Sequence, residues 1–387
     1  MKTTRRDFIK TAGIASAGII TTGWNSYSRE TGVVKIISHI DGDMLTANDG
    51  VVKDGSLLIK VMISAPRNLI IKVNGNQAIY DGEYFTSDVL LNKYENKITV
   101  TERKTRSSQV IRVYWLNDIL GKYRFSLDDN IWFLKDINNN SGTYRSIFNN
   151  MYLGFLKQVH DTFGTKIHVN IYYQTDGFNL SQMTAKYRSE WKDNADWLHL
   201  SFHALQNDPD RPYITAGYDE VRRDCEMVKE QISRFAGEEV MGPVTTLHWG
   251  AATIDGCRAL RDCGYKALAG YFVVEKGKEP VSYYLNEDKK LNLSKRIAWK
   301  DTSEDIIFSR INIVINSYNL DEIVPYLDAI KNDPHRSAFM EVMIHEQYFH
   351  PTYVAYQPDF RDKVIKTIRW VTDNGYKPAF LNEVLFG

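Results

Sequence analysis

Short apolar strands alternate with helical segments from residue 117 to the end of the chain, and this alternation constrains the fold more than any other feature. Strands are predicted at residues 123–128, 166–174, 197–203, 243–248, 267–273, 311–316 and 341–345, with an eighth candidate at 379–381. Helices are predicted at residues 146–163, 181–195, 219–235, 254–263, 321–330 and 359–374. Alternation of this kind is typical of a parallel sheet with crossover helices.

The number of strands favours a closed barrel over an open sheet. An open doubly wound sheet usually has about five or six strands and a glycine-rich phosphate-binding loop after the first one. Neither a G-x-G-x-x-G nor a G-x-x-x-x-G-K motif occurs in this sequence. We therefore predict an α/β fold class, in which residues 117–387 form a distorted (β/α) barrel of about seven strands.

The preceding residues, 31–116, have strand-like runs and almost no helical periodicity. The runs lie at residues 33–40, 56–63, 68–73, 85–91, 97–101 and 109–116. Turn dipeptides separate them, at Asp49-Gly50, Asp54-Gly55, Asn74-Gly75 and Asp81-Gly82. Short strands with glycine-containing turns at this spacing predict a small all-β, immunoglobulin-like sandwich that precedes the barrel.

The amino terminus has the pattern of an export signal. Arg5-Arg6 is followed by Asp7-Phe8-Ile9-Lys10 and a weakly apolar run over residues 11–23. This order resembles a bacterial twin-arginine signal, and the apolar run is too short to span a bilayer. We predict that residues 1–30 are a signal segment, that the mature chain has no stable membrane span, and that the protein is periplasmic or extracellular.

Charge and cysteine content exclude several classes of function. Lys+Arg and Asp+Glu are equal at 48 each, so no net field attracts the chain to nucleic acid, and an uncharged or weakly charged substrate is expected. The cysteines, Cys225, Cys257 and Cys263, match neither a zinc ribbon nor a disulfide framework. We interpret them as small buried apolar groups.

Acidic and histidine side chains recur at the ends of the predicted barrel strands. Asp128 and Asp129 follow the first strand, and His203, His248 and His345 each end a later one. The carboxyl ends of barrel strands meet at one rim, where the connecting loops build active sites. A mixed set of carboxylates and imidazoles at this rim predicts a site for a divalent metal, zinc being the best match, or for acid–base chemistry.

The order of these residues resembles the motif order of the polysaccharide deacetylase superfamily. Ser126-Leu127-Asp128-Asp129 stands where that family has Thr-Phe-Asp-Asp, and Val342-Met343-Ile344-His345 matches its final apolar strand ending in histidine. The second family motif, His-(Ser/Thr)-x-x-His, corresponds to His203-Ala204-Leu205-Gln206-Asn207, which carries Asn in place of the second His. His248-Trp249-Gly250 stands at the place of its Arg-x-Pro-Tyr segment.

The resemblance implies a metal-dependent amidase that deacetylates an N-acetylated glycan. It implies Asp128 as the base, His345 as the acid that protonates the leaving amine, and Asp129 and His203 as metal ligands. For the remaining ligand, the chemistry of zinc favours the His248 nitrogen, whereas family position favours the Asn207 oxygen. A pairing of His199 with His203 ranks lowest, because residue 199 would lie below the rim. Trp249 and Tyr348 follow strand ends and are candidates for sugar binding.

Two other functions are compatible with the sequence. A metal-independent glycoside hydrolase would pair Asp128 with a second carboxylate, Glu346 or Glu383. A site that has lost its activity would leave a protein that only binds glycan, as the replacement at Asn207 suggests. Loss of acetate release on metal removal would separate the metal-dependent deacetylase from the glycoside hydrolase and from the inactive glycan-binding protein.

Overall fold

The computed structural model describes residues 34–104, 106–272 and 282–387. The predicted signal segment, residues 1–30, therefore lies outside the described residues. Among the described residues, no helix combines the length and apolar character needed to cross a membrane.

The region before the barrel consists of strands. They are β1 (Lys35–Ile36), β2 (Asp43–Leu45), β3 (Val51–Lys53), β4 (Ser56–Ser64), β5 (Ile71–Val73), β6 (Asn76–Gln77), β7 (Ile79–Tyr80), β8 (Phe85–Leu91), β9 (Glu95–Glu102) and β10 (Ser108–Trp115). Strand β4 shows why they form sheets, since Leu57, Ile59, Val61 and Ile63 are buried and alternate with more exposed residues. Apart from one 3-10 turn at Ala47–Asp49, the regular structure of the described residues in this region is β-strand.

Two sheets pack against each other here, but they are not separate from the barrel. One sheet has the order β1-β4-β8-β7, with β3 paired to β4. Side chains from both sheets, among them Leu57, Ile98 and Val113, form a common core. The second sheet continues past β10 and β2 into strands of the carboxyl-terminal half, through the pair Trp299 and Asp43. The immunoglobulin-like topology and the division after residue 116 remain predictions.

The carboxyl-terminal half alternates strands and helices. Its strands are β11 (Lys122–Asn130), β12 (Ile167–Tyr172), β13 (Gln174–Thr175), β14 (Phe178–Asn179), β15 (Leu198–Ala204), β16 (Val244–Thr245), β17 (Ala267–Gly270), β18 (Ala298–Asp301), β19 (Ile306–Arg310), β20 (Ile313–Val314), β21 (Phe339–His345) and β22 (Lys377–Pro378). Its helices are α1 (Trp132–Asn139), α2 (Met151–Phe163), α3 (Arg188–Asp193), α4 (Tyr218–Phe235), α5 (Ile254–Asp262), α6 (Glu287–Lys295), α7 (Ile323–Lys331), α8 (Phe360–Asp373) and α9 (Asn382–Leu385).

Parallel strands with buried side chains form the centre of this half. One sheet has the order β15-β12-β11-β21-β20, and β16, β17 and β19 are parallel neighbours in the other. A parallel bridge between Leu200 and Met241 links the two groups. Every residue of β12 and of β21 is buried, as expected for strands that are covered on both faces. The mixed α/β class is confirmed, and exact barrel closure remains a prediction.

Some predicted elements differ from those observed. The helix predicted at residues 181–195 is only Arg188–Asp193, and the strand predicted at 243–248 is only Val244–Thr245. The candidate strand at 379–381 is wrong, because the last strand is Lys377–Pro378, paired with β11. Helices α1, α6 and α9 do not correspond to any predicted helix. The three cysteines are free and buried, as predicted.

Charged side chains are buried on the central parallel strands, below their carboxyl ends. Arg124 on β11 and Glu341 on β21 are register neighbours, and Nη1 of Arg124 donates to Oε1 of Glu341. Nη2 of Arg124 lies 3.0 Å from Nδ1 of His168. Burial raises the pKa of Glu341 to about 7, although the charge of Arg124 lowers it. The folded protein therefore binds the Glu341 proton more tightly than the unfolded chain does.

We expect Glu341 to make folding stability fall as pH rises from about 4.5 through about 7. A shift of this size corresponds to roughly 3 to 4 kcal/mol of folding stability, which is lost once Glu341 ionises in the folded state. Glu341→Gln should remove this loss, and urea unfolding of both proteins at pH 5 and pH 8 measures it. The exposed Glu383→Gln variant is the control. The prediction would be contradicted if the free energies of unfolding of Glu341→Gln and the parent differed by the same amount at pH 5 and at pH 8.

Candidate metal centre and active site

Both aspartates at the end of β11 point into the protein interior. Consecutive strand residues normally face opposite sides of a sheet. Here Asp129 has a left-handed backbone, with φ of 63°, and the pairing of β11 with β12 shifts register between Leu127 and Asn130. This irregularity changes the direction of the side chain, so Asp128 and Asp129 are both buried, at 1% and 2% exposure.

His203 ends β15 and contacts Asp129. Its Nε2 lies 2.9 Å from Oδ1 of Asp129, and both side chains are fully buried. Its Nδ1 is hydrogen-bonded to the carbonyl oxygen of Thr246. A carbonyl accepts only, so this partner assigns the proton to Nδ1 and leaves the lone pair of Nε2 directed at Asp129. A backbone partner of this kind is what fixes the ring of a metal-binding histidine.

His248 completes a group of three candidate ligands. Its Nδ1 lies 3.1 Å from Oδ1 of Asp129 and 3.2 Å from Nε2 of His203. Its Nε2 lies 3.0 Å from the carbonyl oxygen of Asn207, which assigns the proton to Nε2 and the lone pair to Nδ1. The ligand atoms of Asp129, His203 and His248 all lie within 4.8 Å of one another.

The donor chemistry of this group fits a divalent cation. With the tautomers assigned above, one carboxylate oxygen and two imidazole lone pairs converge on the same point. The neighbouring Tyr172 hydroxyl lies 2.5 Å from Oδ1 of Asp129 and 2.9 Å from Nδ1 of His248, and it has a single proton to donate. Converging electron pairs repel one another unless a cation lies between them, and one oxygen with two nitrogens is a typical zinc set.

Asp128 lies beside this group and is held by a different partner. Nδ2 of Asn170 donates to Oδ1 of Asp128 at 2.7 Å. Burial raises the pKa of Asp128, the nearby His203 lowers it, and the charge of Asp129 raises it further. Asp128 is therefore a separate carboxylate at the edge of the three-ligand group, in a position to accept a proton.

His345 lies opposite Asp128, on the neighbouring strand. The two residues are register partners of β21 and β11, and both are buried. Nδ1 of His345 lies 2.8 Å from Oδ1 of Asn316, and the backbone nitrogen of His345 donates to the same oxygen at 3.2 Å. With Nδ1 as the donor, Nε2 is the ring nitrogen that can exchange a proton with a substrate.

The two other candidate ligands lie outside the group. Oδ1 of Asn207 accepts from Nε2 of Gln347 at 2.7 Å and lies 3.3 Å from the Tyr172 hydroxyl. His199 stacks on Phe380, with ring centroids 3.6 Å apart, and burial lowers its pKa to about 4. The geometry therefore favours His248 over both.

The carboxylates of the glycosidase hypothesis have other partners. The Glu346 carboxylate accepts from three consecutive backbone N–H groups, those of Ile131, Trp132 and Phe133, at 2.6–3.0 Å. It therefore caps the amino terminus of α1. Glu383 forms an ion pair with Lys166, which precedes β12 and so lies at the opposite end of the strands. Both carboxylates are therefore engaged in contacts that do not involve Asp128.

The aromatic residues of the candidate pocket differ from those predicted. Asp129 lines a pocket of about 700 Å³ together with Tyr172, Trp132 and Tyr353. Trp249 and Tyr348 are not among its lining residues. The guanidinium carbon of Arg211 lies 5.7 Å from the centroid of the Trp249 ring. The ring centroids of Tyr348 and His345 are 6.1 Å apart.

Sequence reasoning missed several residues that support the site. Asn170 and Tyr172 are at the carboxyl end of β12, where strand-end position was a usable signal. Thr246 holds His203 through its backbone oxygen, and Asn316 holds His345 through its side-chain amide. Neither contact can be recognised from the sequence.

Comparison with known proteins gives matches among solved structures but not among family models or curated proteins. No protein-family model matches the chain, and a search of curated proteins finds no match. The solved structures to which the chain is similar include 4-α-glucanotransferase from Thermococcus litoralis, with 13% identity and a TM-score of 0.45 over 69% of this chain and 40% of that chain.

Carbohydrate deacetylases are also among these structures. A peptidoglycan N-acetylglucosamine deacetylase has 13% identity and a TM-score of 0.35 over 68% of this chain and 88% of that chain. Another carbohydrate deacetylase has 8% identity and a TM-score of 0.38 over 82% of this chain and 68% of that chain. These TM-scores are low, so the function is argued from the site itself.

Proposed function

We propose that this protein is a metal-dependent hydrolase that removes the acetyl group from an N-acetylated glycan. The observation that carries the proposal is the convergence of Asp129, His203 and His248 beside a separate buried carboxylate, Asp128. The polysaccharide deacetylase motif order, found in the sequence at the same residues, supports it. The twin-arginine-like pattern at Arg5-Arg6 supports a site of action outside the bacterial cytoplasm.

Asp129, His203 and His248 would hold the ion. A divalent ion such as zinc supplies Lewis-acid polarisation of the amide carbonyl and makes water a better nucleophile at neutral pH. The backbone carbonyls of Thr246 and Asn207 orient the two imidazoles for this purpose.

Proton transfer falls to the two groups that flank the ligands. Asp128, oriented by Asn170, takes a proton from the attacking water. His345, oriented by Asn316, gives a proton to the departing amine, so that the products are acetate and a free amino sugar. The two groups lie on adjacent strands in direct register, which places an acid and a base next to each other in the same site.

Metal removal tests the proposal directly. We expect the protein to release acetate from N-acetylglucosamine oligomers, to lose this activity on treatment with a chelator, and to regain it when zinc is added back. Acetate is measured enzymatically, and a chelated sample without added zinc is the control. Acetate release that is indifferent to chelators would contradict the metal-dependent mechanism, and cleavage of glycosidic bonds without acetate would favour a glycoside hydrolase.

A further inference from the structure

Two aromatic side chains form part of the wall of the pocket beside Asp129. Trp132 and Tyr353 both line it and are both partly exposed. Their ring centroids are 5.9 Å apart, at an interplanar angle of 71°. Trp132 is the first residue of α1, and its backbone N–H is held by Glu346 at 3.0 Å, so the base of this side chain is fixed. Partly exposed rings on a rigid support offer apolar faces to the C–H surface of a pyranose.

The rest of the pocket wall is rich in amide side chains. Nε2 of Gln174 donates to Oε1 of Gln206 at 2.6 Å, and Nε2 of Gln347 donates to Oδ1 of Asn207 at 2.7 Å. All four side chains line the pocket. Each amide carries both donors and acceptors, which matches the hydroxyl and acetamido groups of a sugar.

The charged groups of the pocket all have the same sign. Asp129, Asp176 and Asp208 are among its lining residues, whereas none of the described lining residues is a lysine or an arginine. Away from the ion proposed at Asp129, a sulfate or uronic acid carboxylate entering this pocket would lose water next to Asp176 and Asp208, without a lysine or arginine of the pocket wall to replace the lost interactions. The wall therefore favours a neutral sugar over an anionic one.

We propose that this pocket is the saccharide subsite for a neutral N-acetylated pyranoside, and that Trp132 is the residue on which its ring stacks. The inference rests on the proposed function in one respect: the acetamido group of the sugar is directed towards Asp129, where the amide would be cleaved. It differs from the prediction made from the sequence, which placed the sugar on Trp249 and Tyr348.

Binding of defined oligosaccharides to Trp132 variants tests the inference. The probes are neutral tetrasaccharides of N-acetylglucosamine with β-1,4 and β-1,6 linkages, and a hyaluronan tetrasaccharide, which contains the same sugar beside a uronic acid. Calorimetry of the full chain should show binding of a neutral tetrasaccharide and at least about tenfold weaker binding of the hyaluronan fragment. Trp132→Ala should weaken neutral binding about tenfold, and Trp132→Phe should weaken it less.

Two controls keep the test decisive. Thermal unfolding shows whether Trp132→Ala is folded. If that variant is unfolded, Trp132→Phe, which keeps a ring against Tyr353, carries the test. Trp249→Ala is the matched comparison, because it removes the same kind of ring from the irregular segment after β16, outside the pocket. The inference is overturned if no neutral tetrasaccharide binds, if hyaluronan binds as well as they do, or if Trp249→Ala weakens binding more than the Trp132 variants.

The result is separable from the proposed function. A Trp132-dependent loss of saccharide binding in a protein that releases no acetate would support the subsite and refute the deacetylase. If acetate is released, Trp132→Ala should raise KM with little change in kcat, because stacking acts equally on substrate and transition state.

Discussion

Replacing His248 with alanine is expected to remove most of the affinity of the protein for zinc. Among the described residues, its Nδ1 is one of the three ligand atoms that converge at the candidate centre, so its loss should cost more than the roughly 10–100-fold that follows from disturbing an outer partner. Titration of zinc into the metal-free protein, with a competing chelator as the reference, measures the affinity without any need for activity.

Asn207→Ala is the matched variant, because Asn207 is the residue that family position would select. It should change zinc affinity much less, since its side-chain oxygen is bonded to Gln347 and a neutral amide oxygen is a poor zinc ligand. A modest effect is expected, because the backbone carbonyl that holds Nε2 of His248 belongs to this residue. If Asn207→Ala abolishes zinc binding and His248→Ala does not, the ligand assignment is wrong, and His248 acts on the substrate instead.

Asp128→Asn is expected to lower kcat/KM for acetate release by about 10²–10⁴ while zinc affinity stays close to that of the parent. An amide has nearly the shape of the carboxylate but cannot take a proton from water. Asp128 is not one of the three converging ligands, and its own partner is Asn170. Parallel measurements of acetate release and zinc titration separate the two roles.

His345→Gln is a useful companion to Asp128→Asn. It removes the acid on the neighbouring strand, so it should also lower activity and leave zinc affinity unchanged. A loss of zinc affinity in Asp128→Asn would show that Asp128 is a ligand, and that the base has to be sought elsewhere.

The strand ends of the barrel were predictable because their signals are local. Apolar runs, either continuous or alternating with polar residues, predicted β11, β12, β15 and β21. The acidic or histidine residues at the ends of three of these strands were assigned from their position alone. The shorter elements were less predictable. Strand β16, for example, has only two residues, since most of its predicted length is an irregular segment leading to His248.

Helix α1 shows why other elements could not be predicted. Ile131, the residue just before the helix, makes no side-chain cap, and the sequence around it has no capping signal. The cap comes from Glu346, 215 residues away from Ile131. The same contact gives Glu346 a structural partner that its position after His345 did not indicate.

The sequence by itself determined the mixed α/β class, the order of the strands that carry chemistry, and the residue types Asp, Asp and His at their ends. These follow from hydrophobic periodicity and from the rule that parallel strands end at one rim. Only the tertiary structure brought His248 rather than Asn207 to Asp129, because that depends on a left-handed residue in β11 and on where a loop turns. It also decided that Trp132 and Tyr353, rather than Trp249 and Tyr348, line the pocket, since side chains distant in sequence become neighbours only when the chain folds.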